Sequence, residues 1–325
     1  MRLKLVPSET DWKFFRYWRI TFGASVLAVI ASILVFFLVG LNFGIDFRGG
    51  TTIRTEGAQP VDVGAYRDAI APLGLGDVSI SQIFDPSFGP DKNVAQVRIQ
   101  AQEGQESVSP EMINAVEAAL QGVDPTINFV SVESVGPKVS GELVQTAILA
   151  VIMANAAVLF YLWLRFEWQF AVGAVAALIH DVLLTIGIFS VLQIRFDLST
   201  IAALLTIVGY SLNDTVIIFD RVRENLIKFK KKPLRDVLEL SINETMSRTV
   251  MTSTTTLLAL IALYILGGDV IRGFVFAMIW GVVVGTYSTI FVASVILLRL
   301  GVKRDWSKPT DDGPAGTQFE TGTGA

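Results

Sequence analysis

Asp214 sits inside an apolar stretch, LSTIAALLTIVGYSLNDTVIIFD, six residues before Asp220 at its end. On helix rise that places it roughly 9 Å inside the end of the helix. A carboxylate at such depth costs about 2.5–3.5 kcal/mol among lipid tails, so it must face protein or water. Tyr210 and Ser211, at i−4 and i−3, share its face, and Asn213 and Thr215 flank it. An acid in such surroundings is favoured neutral when dehydrated and ionised when a cation approaches. If the surroundings alternate as helices move, the group takes up and gives off protons. That is the minimum for a proton relay; the competing reading is helix–helix glue.

The next apolar stretch opens on SRTVMTSTTT, with Arg248, Thr249, Thr252, Ser253, Thr255 and Thr256 at its entrance. Arg248 is either a membrane-surface anchor or the cation that pairs with Asp214. The hydroxyls either hold water between helices or bond back to carbonyls of their own helix. His180 and Asp181 lie mid-stretch in AALIHDVLLTIG. A lone histidine there is either a titrating group near neutral pH or a packing residue. Asp181 is either a second relay acid or an interhelical hydrogen-bond partner. Asp220, beside Arg221 and Arg223, reads as an interfacial acid.

These side chains need helices that cross a bilayer, and the composition supplies them. Of 325 residues, 52% are hydrophobic and only 17% charged, against about 25% charged in soluble domains. Mean hydropathy is +0.55 and the sequence pI about 5.2, so there is no basic footprint for nucleic acid. The chain has no cysteine and one histidine, which excludes disulfides, thiolate catalysis and multi-histidine metal centres. No cofactor is expected. Six stretches, residues 20–42, 141–164, 170–192, 198–219, 249–266 and 273–298, are long enough for about 30 Å of hydrocarbon. The first is longer than a signal core and lacks a cleavage site, so it reads as an uncleaved span.

Charge sets the orientation. Residues 1–19, the residue after the second span, the loop 220–248 and the tail 299–325 together hold eighteen of the 26 Lys and Arg. The positive-inside rule puts both termini in the cytoplasm. The loop's basic cluster would enforce topology and touch anionic lipid. The segment 43–140 then lies outside. Its TTIRT, DVSISQIF, NVAQVRIQA and TINFVSVESV alternate like strands, and VDVGAYRDAIAPLG and PEMINAVEAAL read as helices, the second opened by Pro110. The strands DVSISQIF and NVAQVRIQA are separated by a turn at DPSFGP. The order β-α-β-β-α-β is that of a ferredoxin-like α+β domain. The tail after Arg304 is poor in apolar residues and reads as disordered. The expected fold is therefore an α-helical membrane protein, six transmembrane helices with a ferredoxin-like periplasmic domain between helices 1 and 2.

GIDFRGG after the first span, GPKVSGEL, RFEW, HDV, GYSLNDTVIIFDRVREN, GGDVIRGF and GVVVGTYSTIFVAS resemble the SecF family of protein-export translocase subunits, from Gly44 to Ser294. The resemblance implies half of an RND-type transporter whose other half is SecD. It implies a bacterial inner-membrane location and use of the proton motive force to draw unfolded preprotein from the SecYEG translocon. YajC and YidC join the implied partners, with membrane lipid and protons but no nucleic acid. It places Asp214 and Arg248 in the proton pathway, facing an acid that SecD contributes. No substrate bond changes, so no enzyme activity is expected. The alternatives are a structural accessory that stabilises SecD or the translocon without conducting protons, and a small-solute RND exporter. One six-span set argues against the exporter.

Overall fold

The computed structural model describes residues 10–76, 78–83, 93–101 and 108–302. A 3₁₀ turn at Phe14–Tyr17 leads into α1 (Trp18–Val39). The strand β1 (Asn42–Phe43) and the single turn α2 (Ile45–Arg48) follow. Next come β2 (Gly50–Gly57), α3 (Val63–Ile70), β3 (Val78–Ile83), β4 (Asn93–Gln100), α4 (Pro110–Gln121) and β5 (Asn128–Val135). The chain then runs through α5 (Pro137–Arg165), α6 (Trp168–Leu192), β6 (Arg195–Phe196), α7 (Leu198–Lys228) and α8 (Leu234–Leu266). The last span joins α9 (Asp269–Ser288) to α10 (Ser294–Leu300) through a π-helical turn, Thr289–Ala293.

Six helices are long and apolar enough to cross a membrane, and each expected stretch falls on one of them. They are arranged in two layers. The spans α6, α7 and α9–α10 are buried within the helical body, while α1, α5 and α8 turn large apolar side chains outward, among them Leu38, Trp163 and Leu266. A Cβ on Gly281 would run into the side chain of Ile207, so glycine there is what lets α9 lie close on α7.

Two expected boundaries move. Residues 220–248 are not a loop: α7 continues to Lys228, and α8 begins at Leu234, directly after Pro233. No Gly or Pro interrupts 234–266, so residues 234–248 and the span form one helix. Residues 43–48, expected as the start of the domain between the first two spans, pack on the helical body. Their strand β1 pairs in parallel with β6, Asn42 opposite Arg195 and Phe43 opposite Phe196. Phe43 and Phe47 pack on Phe196, which in turn packs on Phe189 of α6. Apolar rings draw this segment onto the helical body.

The domain between α1 and α5 is a four-stranded antiparallel sheet in the order β3-β4-β2-β5, with α3 and α4 on one face. Alternation decides that face: Ile53, Val97 and Ile99 are fully buried under Ile70, Val116 and Leu120. Each such side chain contributes about 1.5–3 kcal/mol of burial. Ser109 caps α4 by accepting from Met112 N, with Pro110 at the first helical position. The expected turn DPSFGP, the tail beyond Arg304 and the first nine residues lie outside the described residues.

Candidate functional site

Polar side chains line the seam where the three inner helices meet. Asp181 on α6 is 1% exposed. Its Oδ2 accepts from Ser211 Oγ on α7 at 2.7 Å and from Ser288 Oγ on α9 at 2.8 Å. Its Oδ1 lies 3.0 Å from His180 Nδ1. One turn further along α7, Thr215 Oγ1 meets Thr289 Oγ1 at 2.9 Å. The π turn begins at Thr289, so two consecutive residues, Ser288 and Thr289, reach two different helices. Asp181 thus accepts hydrogen bonds from two other helices, α7 and α9.

Asp214 lies three residues beyond Ser211 and is equally enclosed, yet its Oδ2 has no hydrogen-bond partner. The facing helix α8 brings a second orphan, Thr249 Oγ1, also buried and unpartnered. Arg248 is the cation within electrostatic reach of Asp214, but it is exposed and no ion pair joins the two among the described residues. A buried carboxylate oxygen without a partner makes the ionised form costly. Three changes relieve it: a proton, an approaching guanidinium, or a group from outside the chain. The Asp214 site thus has an unmet hydrogen-bonding capacity, whereas both carboxylate oxygens of Asp181 have partners.

The remaining sequence-selected residues divide clearly. Tyr210 Oη donates to Thr256 Oγ1 at 3.5 Å, joining α7 to α8. Ser253 Oγ and Thr286 Oγ1 share a hydrogen bond of 2.8 Å between α8 and α9. Thr252 and Thr255 bond back to carbonyls of their own helix. Asn213 is exposed, off the shared face, and is not brought to the site. His180 bonds through Nδ1 only; its Nε2 is buried without a partner. Asp220 pairs with Arg165 at 3.1 Å on the surface, a contact worth about 0–1 kcal/mol.

Sequence reasoning passed over Thr286, Tyr287, Ser288 and Thr289. Tyr287 Oη donates to Thr21 O at 2.9 Å and shares a bond with Ser25 Oγ, tying the last span to α1. The signal was present: four polar side chains in succession, TYST, inside an apolar span.

The comparisons with known proteins agree with this architecture. Residues 115–303 match the family described as protein export membrane protein SecD/SecF, C-terminal, and residues 35–61 match the SecD/SecF GG motif. The chain is 61% identical over 318 residues to the protein translocase subunit SecF of Cereibacter sphaeroides, covering 98% of each. Among solved structures it is similar to SecDF of Thermus thermophilus, a translocon-associated membrane protein, at 34% identity and TM-score 0.79. A super-membrane-facing form of SecDF superposes less closely, with TM-score 0.68 at 35% identity. In both comparisons the match covers 92% of this chain and 40% of the longer SecDF chain. With this identity over nearly its whole length, the chain is a multi-pass membrane protein that belongs to the SecF family of protein translocase subunits.

Proposed function

We propose that this chain is the SecF half of a SecDF pump that couples the proton gradient to polypeptide export. SecD supplies the second set of spans, the SecYEG translocon delivers the unfolded preprotein, and YajC and YidC are accessory partners. The pump stands in the bacterial cytoplasmic membrane. The bias of basic residues supports cytoplasmic termini and an outer sheet domain. The strand order and antiparallel connectivity support a ferredoxin-like reading of that domain. No bond of the substrate is made or broken, so the activity is mechanical rather than enzymatic.

One observation carries the proposal: the enclosed, unpartnered Oδ2 of Asp214 next to a helix that offers Arg248 and the equally unpartnered Thr249 hydroxyl. Protonation of Asp214 removes its charge and its pull on Arg248. The contact between α7 and α8 repacks, while the hydrogen bonds of Asp181 hold α6, α7 and α9 together as the fixed part. Moving one charge through 100 mV supplies about 2.3 kcal/mol, enough to bias a two-state element, so several protons per export event are expected.

The alternative, an accessory subunit without proton conduction, draws support from the lack of a formed Asp214–Arg248 ion pair. The decisive experiment imposes a pH gradient on vesicles holding this chain with SecD. Asp214→Asn keeps the shape and removes the titration. It is expected to lower both proton flux and gradient-driven export at least about tenfold, equivalent to about 1.4 kcal/mol. Undiminished export in that variant would establish the accessory reading.

A further inference from the structure

A cleft of about 150 Å³ lies between the end of α1 and the base of the sheet. Its floor is backbone of the GIDFRGG segment. Its polar walls are Asn42, Arg48, Ser79, Arg98 and Gln100. Every one of these side chains offers an N–H or O–H donor, and among the described lining residues there is no acid. Gly50 stands at φ +137°, where an added Cβ would lie 2.5 Å from Ile99 O. Only glycine therefore lets the floor run this close to β4.

Arg98 is held in place by the sheet: in register it faces Ser79 of β3 on one side and Thr52 of β2 on the other. Its Nε is buried and has no hydrogen-bond partner. The two nearby acids are already engaged. Asp46 Oδ2 accepts from Leu198 N at 3.1 Å. Asp197 Oδ1 accepts from Thr200 N at 3.0 Å and Ser199 Oγ at 2.6 Å, and its Oδ2 lies 3.8 Å from Arg195 Nε. Both carboxylates thus serve the first turn of α7. Burial, and next the charge of Arg195, hold the Arg98 guanidinium down to about 10, with Asp197 and Asp46 opposing. It still carries its charge at neutral pH, and the three guanidiniums of Arg48, Arg98 and Arg195 exceed the two carboxylates.

The cleft's height and size narrow the anion. Asn42 comes three residues after the end of α1, and Arg195 three residues after the end of α6. The cleft therefore opens just beyond the hydrocarbon core, at the level of lipid headgroups. Its volume is below the roughly 300–1,000 Å³ of pockets for drug-sized ligands. A phosphate group matches both the space and the forked donors of arginine. We propose that this cleft is a phosphate-binding site, and that the phosphate it takes is that of a phospholipid headgroup at the membrane surface.

The test uses the full chain, purified and stripped of lipid, titrated separately with dihexanoyl phosphatidylglycerol, inorganic phosphate and uncharged dihexanoylglycerol. Bound mass is read by native mass spectrometry, and hydrogen exchange is followed over residues 44–50 and 93–100. One equivalent of phosphatidylglycerol is expected, with protection at both segments and no binding of dihexanoylglycerol. Arg98→Gln and Arg48→Gln are each expected to weaken it about tenfold, about 1.4 kcal/mol, while Arg98→Lys loses less. Arg48 is exposed, so its variant reports on binding without a burden on folding. Inorganic phosphate binding as tightly, with the same arginine dependence, would overturn the lipid source. No saturable binding of either phosphate probe, or binding unchanged in both glutamine variants, would overturn the site itself.

Discussion

Ser211 donates to Asp181 at 2.7 Å across two helices, while Asp214, three residues further along the same helix, has an oxygen with nothing to accept from. One helix thus carries a satisfied polar contact and an unsatisfied one side by side. The first holds α7 to α6 and α9. The second leaves a buried carboxylate oxygen of α7 unpartnered beside the equally unpartnered Thr249 hydroxyl of α8.

Ser288→Ala removes one of the two hydroxyl donors to Asp181 Oδ2. Interhelical hydrogen bonds within membranes average about 0.6 kcal/mol and reach about 1.7. The expected loss of stability lies in that range, measured by reversible unfolding in mixed micelles, with proton flux retained. Asp181→Leu removes the shared acceptor of Ser211 and Ser288, leaving Ser288 only the Gly285 carbonyl of its own helix, and is expected to cost more than the single change. Equal costs would show that Asp181 does not hold both helices.

Arg248→Lys keeps the charge near Asp214 and removes the planar fork. If the guanidinium must answer Asp214 with directed hydrogen bonds, flux in vesicles with SecD falls well below wild type, while the stability of the chain is unchanged. Wild-type flux in this variant would mean that charge alone suffices.

Asp124, in the turn after α4, accepts from Thr126 Oγ1 at 2.7 Å, from Thr126 N at 2.9 Å and from Gln59 N at 3.2 Å. The side-chain bond from Thr126 leads in holding its carboxyl below the ordinary range, with the backbone bonds assisting against burial. A depressed folded value stabilises the fold above the unfolded value, and that contribution is lost as pH falls through the folded one. The sheet domain is therefore expected to loosen below about pH 4, read as faster hydrogen exchange in β2 and β5. Asp124→Asn is expected to weaken the domain at neutral pH and to flatten this acid limb.

Asn243 holds the chain's beginning to α8. Its Oδ1 accepts from Trp12 N at 2.9 Å and Thr10 Oγ1 at 2.7 Å, and its Nδ2 donates to Trp12 O at 2.9 Å. Asn243→Ala is expected to cost about 1–3 kcal/mol locally and to expose residues 10–15 to proteolysis. An unchanged cleavage rate would show that Phe15, buried in the helical core and donating its N–H to Glu239, anchors the segment without Asn243.

Local pattern made much of this architecture legible. Apolar length marked the six spans, and alternation in TTIRT and NVAQVRIQA marked strands of the sheet. Asp214 declared itself by its depth in an apolar run. What stayed hidden was non-local. The partners of Asp181 lie 30 and 107 residues away, and no spacing rule joins them. The pairing of β1 with β6 involves two residues on each side, too few to alternate. The charges of 220–248 suggested a loop because its helical residues lack the continuous apolar run of a span.

The unbroken α8 has a mechanical consequence. At 33 residues it is about 50 Å long, and Arg248 sits near its middle. A rod without a hinge cannot bend to absorb a nudge at its centre. Any tilt begun at the arginine must swing the Leu234 end, and with it the strap of residues 10–15 that leads into α1. If the proposed proton step acts at Asp214, it would thereby tug on the first span as well as the fourth and fifth, turning a local discharge into a lever stroke.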